Sequence, residues 1–289
     1  MIAMLANYAN DPTLFKRCIR LIDSVFPGVE NVAMTGMKYD ACWDKISLPF
    51  IVEDNGEVIA HLGLIPLELM LNHQKRKVAA IHGICVKPEF RGRGLFKQLM
   101  REALTYIANH FSASLLFTDK PDLYHPYHFL VLPEYDYRVN SPGLFQKKKS
   151  DLRVLELDNT HDLQIMHDLL ANRLPLSKQL SLLNESTIFT LDNLNKKIYF
   201  SAQLNAIIIY QIVDQTLYLK DIVAERHYQL NEIIEKIPEN FDKIILQFCP
   251  DQFNAPTTPV LANPECSIMV SQDFNFEGEF FRYPEPYRC

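Results

Sequence analysis

Two arginines and two glycines alternate at Arg91-Gly92-Arg93-Gly94, between an apolar run ending at Val86 and an amphipathic pattern beginning at Leu95. Glycine has no Cβ, so the backbone there can take positive φ and come close to a bound group. The first N–H groups of a helix lack internal partners and carry the positive end of its dipole. With Arg91, Arg93 and Lys97 around the same mouth, the turn is suited to an anion, and a pyrophosphate is the ligand it predicts. A short basic turn alone could be an ordinary surface loop. The order of strand, proline, glycine-rich turn and helix is what gives it meaning.

That turn needs a strand before it and a helix after it. Ile81 to Val86 is apolar and β-branched enough for a buried strand, and Pro88 ends it because its ring nitrogen has no hydrogen to donate. Leu95, Leu99, Met100, Ala103, Leu104 and Ile107 recur at helical spacing and predict a helix of about four turns. Upstream, Leu14, Cys18, Leu21, Ile22, Val25 and Phe26 mark a helix between Asp11-Pro12 and Pro27-Gly28. Phe50 to Val52 and Val58 to Leu71 flank Asn55-Gly56, a strong hairpin signal, and Asn72-His73-Gln74 turns the chain again into Lys77 to Val86. An antiparallel meander therefore feeds the basic turn. Beyond the helix, Ser114 to Thr118 reads as a strand, Pro121 to Phe129 as a helix or turn, and Tyr135 to Val139 as a strand. The class is α/β (α+β), a mixed, mostly antiparallel twisted sheet with flanking helices.

The 289 residues suit one large or two medium domains. A net charge of −6 disfavours a general nucleic-acid binder, which needs a basic surface to displace counterions, and suits neutral or cationic substrates. Met1 to Asn7 lacks the basic region of a leader, and no run has the length of a membrane span, so a cytoplasmic protein without membrane contact is expected. The six cysteines show no metal or redox spacing and read as reduced thiols. Cys85 reads as a core residue rather than a nucleophile. The nine histidines are dispersed, and no metal site is expected.

Val86 to Leu95 resembles the acetyl-CoA signature of the GNAT N-acetyltransferases, R/Q-x-x-G-x-G/A after the fourth strand. Arg91 and Gly94 take the first two fixed places, and the third falls on Phe96, a departure. Tyr124-His125-Pro126-Tyr127-His128-Phe129 is similar to the family's Y-x-x-x-G-F. Tyr124 takes the tyrosine place, and His128 stands where glycine is usual. The resemblance covers the chain up to about residue 140 in order and type of elements, and it implies the GNAT fold with acetyl-CoA as co-substrate. It places the pyrophosphate on Arg91, Gly92, Arg93, Gly94, Leu95 and Phe96. It also implies that the fourth and fifth strands splay, so that free backbone groups of Ile84, Cys85 and Val86 pair with the acyl-pantetheine, a β-augmentation by a ligand.

Acetyl transfer to an amine requires a deprotonated amine, a held carbonyl and a proton for the departing thiolate. Tyr124 is expected as the general acid, with Tyr127 as its fallback. For the base, His82, Glu134, the carboxylate of Cys289 and a water chain all stay open. Strand alternation puts His82 on the face opposite Gly83 and Cys85, where it could also be a core histidine.

Lys147-Lys148-Lys149-Ser150-Asp151 reads as a solvated linker and sets the expected boundary, with one domain over 1–146 and a second over 151–289. The second has a helical pattern over His161 to Leu170, strands at Lys197 to Phe200, Asn205 to Val213, Thr216 to Val223 and Lys243 to Phe248, and a helix over Arg226 to Ile237. Its β-β-α-β tail echoes the first domain. Ala224 to Gln229, at the place of the basic turn, carries Glu225 and no glycine, so no cofactor is expected there. The stretch from Asp221-Ile222-Val223-Ala224 through Phe248-Cys249-Pro250-Asp251, with Ile268-Met269-Val270, is similar to the C-terminal part of two-domain GNAT proteins, and the chain resembles the enhanced-intracellular-survival type. In that type the terminal carboxylate, here that of Cys289, serves as base.

These readings imply an N-acetyltransferase that joins acetyl-CoA and a primary amine of a small molecule, peptide or protein by direct attack in a ternary complex. The alternative is a non-catalytic acyl-CoA-binding interaction module on a GNAT scaffold. An enzyme acting on nucleic acid is disfavoured by charge, and the oligomeric state is open.

Overall fold

The computed structural model describes residues 3–140, 150–183 and 185–288. After a short strand, β1 (Met4–Leu5), the first amphipathic run forms α1 (Leu14–Val25), burying Leu14, Cys18, Ile19, Leu21 and Ile22. Gly28, at φ +99°, then redirects the chain into α2 (Val29–Gly36), and one further turn forms α3 (Trp43–Ile46). The meander is β2 (Leu48–Asp54), β3 (Glu57–Leu71) and β4 (Gln74–Val86). Both of its turns place two residues in the left-handed region, Asn55-Gly56 at +49° and +81° and Asn72-His73 at +49° and +62°. Such turns match the twist of the strands they join. Helix α4 (Leu95–His110) then crosses to β5 (Ala113–Thr118), parallel to β4, and buries Leu95, Leu99, Met100, Ala103 and Ile107. Two strands follow, β6 (Phe129–Val131) and β7 (Tyr135–Val139).

The pairing of β4 with β5 runs from Val78 opposite Ala113 to Ile81 opposite Leu116 and stops there, although both strands continue. The cause is local. Gly83 sits at φ +57°, which breaks the pleat, and the β3–β4 register shifts between His61 and Gly63. A bulge of this kind bends its strand away from its neighbour. His82 to Val86 is therefore left without a strand on the β5 side.

The second half comprises β8 (Leu152–Val154), α5 (Thr160–Asn172), β9 (Leu180–Leu183), α6 (Ser186–Asn193), β10 (Tyr199–Ser201), β11 (Ala206–Val213), β12 (Thr216–Ala224), α7 (Leu230–Ile234), β13 (Lys243–Leu246), β14 (Thr257–Leu261) and β15 (Ser267–Ser271). The helix expected over Arg226 to Ile237 forms only as α7. It starts where Glu232 accepts the Gln229 N–H at 2.8 Å, and Pro238 disfavours a further turn. The expected echo holds: β12 and β13 are parallel with α7 between them, as β4 and β5 are with α4.

The two sheets exchange strands. One runs β1-β2-β3-β4-β5-β15-β6, with β9 also on β3, and the other runs β14-β7-β13-β12-β11-β10-β8. Strand β15, from the second half, lies between β5 and β6, and β7, from the first, lies between β13 and β14. A division at 146/151 therefore separates the chain but not the sheets. Of the lysine-rich linker, Lys147 to Lys149 lies outside the described residues. One large core joins the halves, with Leu67, Leu69 and Leu71 of β3 packed with Met166 and Leu170 of α5, Phe189 of α6 and the tail residues Tyr283 and Tyr287. No helix among the described residues is long and apolar enough to cross a membrane.

Candidate active site

The basic turn sits at the N-terminus of α4. Gly92 and Gly94 have φ of +74° and +77°, the left-handed conformation that glycine accepts without strain. Both face open space, so a group can approach the backbone closely. The Arg91 Nε donates to the Val86 carbonyl at 3.1 Å, tying the turn to the end of β4. Arg93 turns back, donating to the Glu89 carbonyl at 3.2 Å with its guanidinium 4.7 Å from the Phe90 ring centre.

From this turn a cavity of about 980 Å³ runs through the gap between β4 and β5. That is at the upper end of the size of small-molecule sites. Of the residues expected at the cofactor, Ile84, Cys85, Val86, Arg91, Gly92, Gly94, Leu95 and Phe96 line it, and Arg93 does not. The cavity continues between α1, α2 and the β4–β5 crotch, where Ile22, Val25, Phe26, Val29 and Trp43 form an apolar wall.

Tyr124 lines the cavity from the segment after β5, is almost fully buried, and has its phenol pushed up to about 12 by burial, with a Thr118 hydrogen bond pulling the other way. It stays protonated throughout the neutral range. Phe96, the first departure from the signature, packs edge-on against Tyr124 and Tyr127, with ring centres 5.8 and 5.9 Å apart. The bulky residue thus braces the phenol. His128, the second departure, adopts the left-handed conformation at φ +62° that explains a glycine at this place. Cys85 is buried with its thiol pushed up to about 12, chiefly by desolvation, as suits a core residue and not a thiolate nucleophile.

The base candidates separate. Glu134 does not line the cavity and is buried among cations: Arg288 donates to both of its oxygens at 2.6 and 2.7 Å, Arg282 lies at 3.3 Å, and the Tyr283 N–H donates at 3.2 Å. Its lone pairs are committed to holding the tail. His82 does line the cavity. Cys289 lies outside the described residues. Its neighbour Arg288 is docked, with its guanidinium 5.1 Å from the Phe117 ring and a 3.4 Å bond to the Cys266 carbonyl. Phe117 and Cys266 both line the cavity and separate it from a polar one of about 630 Å³.

Sequence reasoning missed the support beneath His82. Tyr8, Trp43, Ser47 and His61 gather around it, and His61 is fully buried. The signal was available in the hairpin at Asn72-His73, which sets the stretch around His61 opposite the stretch around His82.

Comparison with known proteins agrees with this geometry. Residues 11–131 match the family model of the acetyltransferase (GNAT) domain. The match spans less than half of the chain, and the mixed α/β architecture of the GNAT fold extends over most of its length. Among solved structures, a probable N-acyltransferase from Enterococcus faecalis superposes with a TM-score of 0.59 at 13% identity, covering 93% of this chain and 71% of that one. A GCN5-related N-acetyltransferase from Kribbella flavida gives 0.57 at 15%, with 93% and 70% covered. Eis1 from Mycobacterium abscessus gives 0.55 at 13%, with 93% and 73% covered. No curated protein matches the sequence.

Proposed function

We propose that this protein transfers the acetyl group of acetyl-CoA to a primary amine by direct attack within a ternary complex. The observation that carries the reading is the gap left where β4–β5 pairing stops at Ile81 and Leu116, with a cavity running from the glycine turn to Tyr124. In this reading the α4 N-terminus and Arg91 hold the pyrophosphate. The free backbone of Ile84 to Val86 pairs with the pantetheine. The amine attacks the thioester carbonyl, and Tyr124 protonates the departing thiolate. The proton that the attacking nitrogen gives up leaves through water. Holding the reactants in line supplies much of the acceleration.

Tyr124→Phe is the test. Thiol release with an amine acceptor should fall at least about 100-fold, the usual worth of a positioned acid, with acetyl-CoA affinity unchanged. A fully active variant removes Tyr124 from the role. The departures Phe96 and His128 from the family pattern support the second reading, a non-catalytic acyl-CoA-binding module. Wild-type protein that binds acetyl-CoA and turns over no amine would favour it.

A further inference from the structure

A buried polar chain leads from the β4 bulge to the cavity wall. His61 Nδ1 lies 2.8 Å from the Gly83 carbonyl oxygen, which can only accept, so the proton is on Nδ1 and the lone pair on Nε2. The Tyr8 phenol, 3.4 Å from that Nε2, is therefore the donor. Cys18 and Ser47 are further hydrogen-bond partners of the Tyr8 hydroxyl. Ser47 Oγ in turn lies 2.8 Å from His82 Nε2. With the His82 proton on Nε2, toward the Ser47 oxygen, the ring keeps its lone pair on Nδ1. That atom is buried and has no hydrogen-bond partner among the described residues, while the ring is part of the cavity wall. Burial holds the imidazole neutral, with its pKa pushed down to about 3.

The ring is fixed from two sides. Trp43 lies against it with ring centres 5.0 Å apart and planes tilted by 30°, and Gly63 leaves room that any Cβ would fill. An unsatisfied nitrogen in such a place calls for a partner from whatever fills the cavity. Beside it the wall is apolar (Ile22, Val25, Phe26 and Val29), and Asp119, the carboxylate that lines the cavity, follows β5 on the other side.

We infer that His82 Nδ1 accepts a hydrogen bond from the N–H of the incoming amine, and that this end of the cavity takes primary amines carried on an aliphatic or aromatic group. The inference rests on the transferase reading above. The amine is bound neutral here, because an apolar wall and a neutral imidazole do not compensate an ammonium charge. Its lone pair is then free to face the thioester.

Trp43 is the chain's single tryptophan, so its fluorescence reports occupancy beside His82. Wild type, His82→Leu and His82→Asn are titrated with 2-phenylethylamine, hexylamine and spermidine, with acetyl-CoA calorimetry and thiol release in parallel. The two apolar amines should perturb Trp43 and be acetylated in preference to spermidine. His82→Leu should raise their dissociation constants and KM by about tenfold or more, the loss of one buried hydrogen bond, with acetyl-CoA affinity within about twofold. His82→Asn, with an acceptor near the place of Nδ1, should recover part of the loss. If His82→Leu does not fold, Gly63→Ala, which displaces the ring without removing it, should give the same rise. Unchanged amine affinity in a folded variant, or a preference for spermidine, would overturn the inference. Wild type that binds the apolar amines through His82 but binds no acetyl-CoA would instead overturn the transferase reading and support the amine site.

Discussion

Tyr124, His82 and Cys85 meet one cavity, and burial pushes each toward its neutral form. For the histidines this has a consequence for stability. His61 and His82 move from 6.5 to about 4 and about 3, both through desolvation, so between those values and 6.5 the unfolded chain binds protons that the folded chain does not. Stability therefore falls as pH drops below about 6.5, by about 1.4 kcal/mol per pH unit for each histidine. Urea unfolding at pH 7, 6 and 5 checks it. His61→Gln should flatten the slope by about one proton, and an unchanged slope would mean that His61 is accessible to protons in the folded state.

The turns and α4 carry the site, and they were the legible part of the sequence. Asn55-Gly56, Asn72-His73 and the R-G-x-G turn each name their own conformation, because only a few residue types tolerate left-handed φ. His128 is the exception that proves informative: an exposed histidine in that conformation before β6, where the family's pattern has glycine. His128→Gly should raise stability by about 1 kcal/mol, read as an increased urea midpoint with unchanged slope. A decrease would show that the imidazole contributes more than its backbone costs. Helices α2 and α3 were not legible, because Pro27-Gly28 reads as a stop, whereas Gly28 at positive φ serves as a corner. The support under His82 also stayed hidden, since a hairpin gives register but not which buried hydroxyl will meet it.

On the scale of the molecule, the strand exchange makes two sheets one unit. Periodicity finds β7 and β15 as strands but cannot say what they pair with, and the partners of β15 lie more than a hundred residues upstream. Separating the chain at 146 would remove β15 from between β5 and β6 and leave both edges unpaired. Residues 1–146 expressed alone should aggregate or lack cooperative unfolding, and a folded, acetyl-CoA-binding fragment would contradict an interlocked core. The tail is held by the same logic. Tyr287 is buried against the Arg173–Asp221 pair, donating to Asp221 at 3.0 Å, and brings Arg288 to the cavity wall. Asp221→Ala would leave the Arg173 charge buried without its carboxylate and should cost about 3 to 5 kcal/mol, measured by denaturant unfolding.

In the proposed reaction the glycine turn at the head of α4 holds the pyrophosphate of acetyl-CoA. Calorimetric titration of wild-type protein and Arg91→Glu with acetyl-CoA tests it most directly. Arg91 is exposed and fixed to the end of β4, so its replacement reverses the charge at the mouth while leaving the core intact. Wild type should show one saturable site and the variant no binding, with both proteins unfolding at the same urea concentration. Equal affinity in the two proteins, or no binding to the wild type, would contradict it.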